Sequence, residues 1–217
     1  MSTRALVVAL TLLAAAALGG CVSPPHPYDY TNFRAHPPHS ILILPPLNQS
    51  TDLEATYGWL STATQPLAEL GYYVFPVEVV DTFFKENGMP TAGEMHQAPL
   101  ERVREITGAD AVLFVTLEQY GSKYQLINTA TIVSVRAKLV DTHSQVLLWE
   151  GHGLAEQDSS GSGSLLVDVL GALVAQAVNS QTHPAHQLSR TANQNLFHSP
   201  SQGLPYGPYS PKYQREP

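Results

Sequence analysis

The sequence predicts an α/β fold, in which helices pack on a single mixed sheet of about five strands in the order β-α-β-α-β-β-β-α. Two patterns predict this class. In the first half, short apolar runs alternate with amphipathic helical segments, which favours parallel strands joined by right-handed crossovers. In the second half, apolar and polar residues alternate with period two, which is typical of half-buried antiparallel strands. We therefore expect parallel strands first and an antiparallel hairpin after them, all in one sheet.

The first half contributes three strands and the helices between them. Residues 40–44 form a continuous apolar run ended by two prolines, which is typical of a buried strand. Apolar residues spaced three and four apart predict a helix over 53–70 that ends at Gly71. The other elements predicted here are a strand over 72–75, helices over 78–86 and 100–106, and a strand over 111–115.

The second half begins with a turn at Gly121-Ser122. Residues 124–140 then alternate between apolar and polar side chains, which predicts a half-buried strand. The remaining predictions are a loop over 141–144, a partner strand over 146–155, a flexible loop over 158–164, helices over 165–178 and 185–197, and a tail over 199–217 that docks on the domain or is loose.

The amino terminus has the features of a bacterial lipoprotein signal. One arginine precedes an apolar stretch that is too short to span a membrane comfortably and ends in Leu18-Gly19-Gly20-Cys21. This ending looks like a lipobox, with an aliphatic residue, two small residues and the single Cys of the chain. Cleavage between Gly20 and Cys21 would allow the Cys21 thiol and amine to carry three acyl chains, which is enough for stable anchoring. The alternative is an ordinary signal peptide followed by a chance Cys, which would leave a free thiol in an oxidising compartment.

The domain organisation follows from this signal. We predict a signal peptide over 1–20, a lipidated Cys and Pro-rich extended tether over 21–39, an α/β domain over 40–198 and a tail over 199–217. Similarity to lipoproteins of enteric-type bacteria implies that Asp after the Cys retains a lipoprotein in the inner membrane. Because Val22 stands there, the outer membrane is favoured, with the periplasmic face preferred and surface exposure open.

Composition excludes several classes of protein. Apolar residues make up 43% of the chain, which is too many for a fully disordered protein. Internal apolar runs fall short of the roughly 20 residues that a spanning helix needs, which excludes a polytopic membrane protein. A formal net charge of −7 argues against nucleic-acid binding.

Candidate catalytic and metal-binding patterns are weak. The chain lacks a G-x-S-x-G nucleophile elbow, and the stretch from Gly161 to Ser164 lacks the lysine of a phosphate-binding loop. Two pairs of histidines have helical spacing but are disturbed by prolines: His36 with His39, and His183 with His186. The carboxylates considered for a glycosidase pair are scattered: Glu78, Asp81, Glu94 and Glu118. We therefore expect no enzyme activity, no cofactor and no metal site.

The helix predicted over 165–178 is apolar on nearly every face. Gly171 and Ala175 form a small-xxx-small pair, which allows close approach of another helix. Three interpretations stay open: core packing, a partner or self-association surface, and insertion into the membrane. The surface would comprise Leu166, Leu170, Gly171, Val174 and Ala175.

Several stretches together resemble a family of small bacterial lipoproteins that includes a genome-derived neisserial vaccine antigen. The resemblance covers nearly all of residues 40–213. It rests on residues 40–48, 55–58, 71–77, 108–111, 147–149 and 206–213. It implies a fold similar to the N-terminal domain of the periplasmic protein TolB, and more loosely to the periplasmic part of the curli secretion lipoprotein. It attaches no chemistry to the motifs.

Function is therefore expected from position and binding. We predict a non-enzymatic outer-membrane lipoprotein, anchored through Cys21, that acts as an accessory or scaffold component of an envelope transport or secretion assembly. Other envelope proteins are the expected partners, and a homodimer is an open possibility. The alternative is a periplasmic or surface protein that binds a small ligand or a glycan.

Overall fold

The computed structural model describes residues 27–124, 129–158 and 184–213. The strands within these ranges are β1 (Ser40–Ile43), β2 (Leu47–Asn48), β3 (Tyr73–Val74), β4 (Ala111–Tyr124), β5 (Thr129–Asp141) and β6 (Leu147–Asp158). The helices are α1 (Thr31–Ala35), α2 (Ala55–Glu69), α3 (Val77–Glu86), α4 (Ala92–Met95), α5 (Leu100–Thr107) and α6 (Pro184–Phe197). All six strands join one sheet in the order β3-β1-β4-β5-β6, and β2 pairs with β4 off this path. The predicted mixed α/β class is confirmed.

The two halves of the sheet pair as the sequence predicts. β1 lies parallel to β3 on one side and to β4 on the other, with Ile41 opposite Val74 and Ala111. β4, β5 and β6 then form a long antiparallel meander, in which Arg136 of β5 lies between Thr116 and His152. The parallel strands are short and the antiparallel strands are long, so β4 to β6 extend beyond the parallel half.

The turn predicted at Gly121-Ser122 is wrong, because β4 continues through these residues to Tyr124. An irregularity between Leu117 and Gln119 shifts the register against β5. Gly121 then lies within the strand at a φ of +101°, which residues with a side chain rarely adopt. A glycine in a strand often marks such a bend, so the same residue type that predicts a turn here allows the strand to continue.

Two clusters of buried side chains lie on opposite faces of the sheet. On one face, α2 and α6 cover β4, β5 and β6, and Trp59, Trp149 and Phe197 are fully buried. On the other face, a smaller cluster joins Leu42 and Val112 to residues of α3, α4 and α5. This second layer of helices covers only the parallel half. The long strands β4 to β6 therefore have one packed face and one face without a covering helix among the described residues.

Residues 28–35, which we call the strap, differ from the expected extended tether. Residues 31–35 form helix α1, and Phe33 is only 4% exposed in the main core. Just before the helix, Asp29 accepts hydrogen bonds from the backbone N–H and the hydroxyl of Thr31. The extended geometry predicted for 22–39 is thus wrong over the strap, because a buried aromatic side chain gives this stretch a fixed place on the domain.

The sequence left the tail either docked on the domain or loose. In the structure, residues 199–213 are docked. The indole of Trp149 donates to the carbonyl of Gln202 at 2.8 Å, and the backbone N–H of Gly207 donates to the carbonyl of Leu70 at 2.8 Å. Leu204 is 4% exposed in the main core. The tail therefore ties the end of α2 to β6.

Several predictions lie outside the described residues. They are the signal peptide over 1–20, Cys21, the glycine-rich stretch over 161–164 and the helix over 165–178 with all five residues of its candidate surface. None of the helices within the described residues is both long enough and apolar enough to cross a membrane.

Candidate functional site

The side of β4 to β6 that no described helix covers carries a compact set of polar side chains, which we call the polar face. Along β5 and β6 the residues of this face alternate with core residues such as Val135 and Ala155. Its members are Glu118, Ser134, Arg136, Lys138, Glu150, His152, Leu154 and Glu156. Opposite charges lie across neighbouring strands, since Lys138 is directly opposite Glu150.

A network of four side chains lies at the centre of the polar face. Arg136 and Glu118 form an ion pair of 2.7 Å, although the Arg136 side chain remains 60% exposed. The Ser134 hydroxyl donates to Oε2 of Glu118 at 3.1 Å. Nε2 of His152 lies 3.0 Å from Ser134 Oγ and 3.5 Å from the same Glu118 oxygen. Ser134 is 5% exposed, so its hydroxyl is enclosed by the charged groups around it.

The positions of the protons decide what this network can do. A carboxylate only accepts hydrogen bonds, so the single hydroxyl proton of Ser134 points toward Glu118. Nε2 of His152 must then carry a proton and donate to Ser134 Oγ. A serine nucleophile needs the reverse, with its proton directed to a free imidazole nitrogen and the carboxylate bound to the other nitrogen. In this arrangement the hydroxyl proton of Ser134 is directed at Glu118 and not at His152.

The free edge of the sheet is protected by side chains. The amide of Asn32 donates to the carbonyl of Leu147 at 3.2 Å, and the Glu150 backbone N–H donates to the Tyr28 hydroxyl at 2.8 Å. Asn195 donates to the carbonyl of Leu154 at 2.8 Å. Unpaired edge strands invite pairing with other chains, and side chains that occupy the edge prevent it. Within the part of the chain that the structure describes, three backbone groups of the β6 edge are thus occupied, whereas Arg136, Lys138 and Glu156 of the polar face are exposed.

A groove of about 430 Å³ lies between the strap and the tail. It is enclosed by the strap, the ends of α2 and α6, and the tail, and its walls include Tyr30, Arg34, Phe197, His198 and Tyr206. Burial lowers the pKa of His198, while the nearby charge of Glu69 acts in the opposite direction. Two phenol rings, a guanidinium and an imidazole give this groove the polar and stacking groups of a small-ligand site.

Of the two histidine pairs from the sequence, only His36 with His39 lies wholly within the described residues. His36 and His39 lie on the loop between α1 and β1, and His186 on α6 contacts the hydroxyl of Ser61 at 3.1 Å. His183 lies outside the described residues. Within residues 27–124, 129–158 and 184–213, no three His, Cys, Asp or Glu side chains are grouped to hold a metal ion.

The four scattered carboxylates take separate roles. Asp81 pairs with Lys85 of the same helix at 2.7 Å, and Glu94 forms a capping box with Thr91 at the start of α4. Glu78 is exposed in the first turn of α3. Only Glu118 reaches the polar face, where its oxygens are occupied by Arg136, Ser134 and His152.

The mixed α/β domain is that of a class of lipoproteins, as the comparisons with known proteins show. The chain belongs to the GNA1162-like lipoprotein family, whose model matches residues 28–209. A lipoprotein of Neisseria meningitidis serogroup B, NMB1124/NMB1162, is 42% identical over 190 residues, which cover 87% of this chain and 88% of the relative. The resemblance seen in the sequence is thus confirmed.

A solved structure of this family agrees with the fold. The crystal structure of lipoprotein GNA1162 from Neisseria meningitidis is 44% identical with a TM-score of 0.54, covering 66% of this chain and 100% of that one. A PelC dodecamer structure from Paraburkholderia phytofirmans is 16% identical with a TM-score of 0.46, covering 76% of this chain and 89% of that one.

The polar face is a candidate site that the sequence analysis did not predict. The period-two alternation did place Ser134, Arg136 and Lys138 on one side of a strand, which was a usable signal. Nothing in the sequence linked them to Glu118 and His152, because those residues meet only through the pairing of three strands.

Proposed function

We propose that this chain is an outer-membrane-anchored lipoprotein whose domain acts as a non-enzymatic accessory component of an envelope transport or secretion assembly. The observation that carries the proposal is the polar face: three long strands present exposed charges that the described helices do not cover. Acyl chains on Cys21 would confine this surface to one leaflet and raise its effective concentration near neighbouring proteins.

The chemistry of the polar face indicates the kind of partner. Arg136 stays 60% exposed beside Glu118, and Lys138 is exposed opposite Glu150, so both can also bind acidic groups of a partner. Glu156 can bind a basic group, and Leu154 in the same row is 47% exposed. A protein surface with charges of both signs around an apolar contact fits this pattern. We take an envelope protein as that partner, and a second copy of this chain is an outcome that the test separates.

The order of protons at Ser134 supports the non-enzymatic part of the proposal. A hydroxyl whose proton is held by Glu118 is a poor nucleophile, and Nε2 of His152 is occupied as a donor. Nucleophilic catalysis by Ser134 would require this network to rearrange.

A charge exchange on the polar face tests the proposal. The double variant Lys138→Glu and Glu156→Lys keeps the net charge but reverses the pattern. The matched control is Arg102→Glu with Glu105→Arg, which exchanges an exposed ion pair on α5. Lipidated proteins are compared by quantitative co-purification from envelopes, and oligomeric state is measured in parallel.

We expect the polar-face exchange to weaken association with specific envelope proteins by about tenfold or more, equivalent to about 1.4 kcal/mol. The control exchange should leave association unchanged. Equal association of both variants would contradict the proposal. Loss of a homodimer instead of a heterologous partner would assign the polar face to a second copy.

A second candidate is binding of a small ligand or glycan in the groove beside the strap. Its aromatic and cationic walls favour a polar ligand with a flat face, such as a sugar ring. A ligand that raises the Tm of the native protein but not that of Tyr206→Ala would support this candidate. The same increase in Tm for both proteins would exclude the groove.

A further inference from the structure

The strap fixes the point at which the tether joins the domain. Phe33 is 4% exposed in the core, and the amide of Asn32 donates to the carbonyl of Leu147. The Tyr28 hydroxyl accepts a hydrogen bond from the Glu150 backbone at 2.8 Å, and the Tyr30 hydroxyl donates to the carbonyl of Gly203. The chain is thus attached to β6 and to the tail from residue 28 onward.

Docking of the strap limits how far Cys21 can lie from the domain. Seven Cα-to-Cα steps separate Cys21 from Tyr28, and a fully extended chain spans at most about 25 Å over that length. If the tether ran instead to Ser40, its limit would be about 65 Å. These limits hold whatever conformation the intervening residues adopt.

We infer that the lipid surface carrying the Cys21 acyl chains faces the Tyr28 end of β6, and that the docked strap, not the full Pro-rich length, sets the distance. This inference rests on the proposed lipidation of Cys21. The tether limit keeps the headgroups within about 25 Å of Tyr28, so the surface beyond this end of the domain is the bilayer.

The short tether also limits where the partner can bind. The polar face runs from Glu150 to Glu156 along β6, about 20 Å at the rise of a strand. Partner groups that contact it must therefore reach within about 45 Å of the bilayer, the sum of the tether limit and this length. The strap makes the polar face a membrane-proximal surface.

Energy transfer from single labelled positions to lipid headgroups measures this distance. Cys21 is the one Cys of the chain and is consumed by acylation, so an introduced Cys can be labelled alone. Glu150→Cys and Glu156→Cys form a matched pair, because both are exposed residues on the same face of β6. Donor-labelled full-length lipidated proteins are placed in liposomes that carry headgroup acceptors.

We expect the residue 150 donor to lie within about 35 Å of the headgroups, which allows about 10 Å for the dye beyond the tether limit. Insertion of about 12 Gly and Ser residues between His26 and Pro27, which adds up to about 40 Å of reach, should lower the transfer at both positions. The inference is overturned if the native residue 150 donor lies beyond about 45 Å, or if the insertion leaves the transfer unchanged.

Variants of the strap test whether its docking on the domain sets the distance between residue 150 and the headgroups. Phe33→Asp should release the strap and lower the transfer at residue 150, whereas Phe33→Leu should retain it. If Phe33→Asp does not fold, Tyr28→Phe combined with Asn32→Ala removes two strap contacts without a buried charge and should lower the transfer. Unchanged transfer in a folded strap variant would contradict the inference.

The anchor itself has a separate control. Cys21→Ser should lose stable association with liposomes, and if it does not, the proposed lipid anchor is wrong. A native protein that is stably bound through Cys21 but held far from the headgroups would overturn only the inference about the strap.

Discussion

Nε2 of His152 lies 3.0 Å from Oγ of Ser134, and that hydroxyl in turn donates to Glu118. The Ser134 hydroxyl thus lies between the carboxylate and the imidazole and contacts both. Arg136 completes the set by pairing with Glu118 at 2.7 Å. Hydrogen bonds and an ion pair therefore link side chains of β4, β5 and β6 at the centre of the polar face. In the proposed binding of a partner, this ordering reduces the entropy lost.

Removal of the central hydroxyl should loosen this network. Ser134→Ala deletes a buried group that links Glu118 to His152, and we expect the free energy of unfolding to fall by about 1 kcal/mol. Urea denaturation measures the change. Ser122→Ala, at an exposed position on the same β4–β5 pair, serves as the control and should be neutral. A neutral Ser134→Ala would show that the hydrogen bonds contribute nothing to stability.

Gly58 makes room for a side chain from the sheet. A Cβ atom at this position would lie 2.4 Å from the Tyr120 hydroxyl, whose residue is 8% exposed. We expect Gly58→Ala to destabilise the protein by about 1–3 kcal/mol through overpacking. Gly93→Ala on α4 is the control, since its nearest contact is at 3.9 Å, and it should be neutral or stabilising. Tyr120→Phe should rescue part of the loss in the Gly58→Ala background.

The Tyr28 hydroxyl protects one backbone group on the sheet edge. Tyr28→Phe keeps the ring but removes the acceptor for the Glu150 N–H. Amide hydrogen exchange at Glu150 should accelerate by about fivefold to tenfold, equivalent to about 1 kcal/mol, while exchange at core amides such as Val135 stays unchanged. Unaltered exchange at Glu150 would mean that the contact does not form in solution.

Stability should depend on pH through His96. Burial lowers the pKa of His96 from its usual value near 6.5, although its hydrogen bond to the carbonyl of Pro45 acts in the opposite direction. The unfolded chain therefore takes up a proton at a higher pH than folded His96 does. The contribution of His96 to the free energy of unfolding is therefore favourable above about pH 6.5 and is lost as the pH falls below that value.

His96→Gln should reduce the slope of unfolding free energy between about pH 5 and 6.5, the range in which an unperturbed histidine takes up its proton. Thermal or urea unfolding at several pH values measures this slope. His198, whose pKa burial also lowers, should account for part of the remaining slope.

Much of the fold follows from local pattern. The apolar run at Ile41 and the spacing that ends at Gly71 predicted β1 and α2, because burial on one face repeats with the period of the element. The strap could not be predicted in the same way. Phe33 lies among prolines and polar residues, and its place depends on β6, more than a hundred residues away in sequence.

The polar face shows a similar division. Alternation in β5 revealed which of its side chains share a side, yet the partners of Ser134 come from β4 and β6 through strand register. The irregularity between Leu117 and Gln119 shifts that register by an amount that local sequence does not encode. Contacts across three strands are a property of the assembled sheet.

Site-specific photo-crosslinking in whole cells tests the central claim most directly. A photoreactive residue is placed at Lys138 on the polar face or at Arg102 on α5, in native protein and in the Cys21→Ser variant, and crosslinked proteins are identified by mass spectrometry. We predict that Lys138 captures a defined envelope protein only when Cys21 is present, and that Arg102 does not capture it. Capture that is identical from both positions, or independent of Cys21, would contradict an anchored lipoprotein that binds through its polar face.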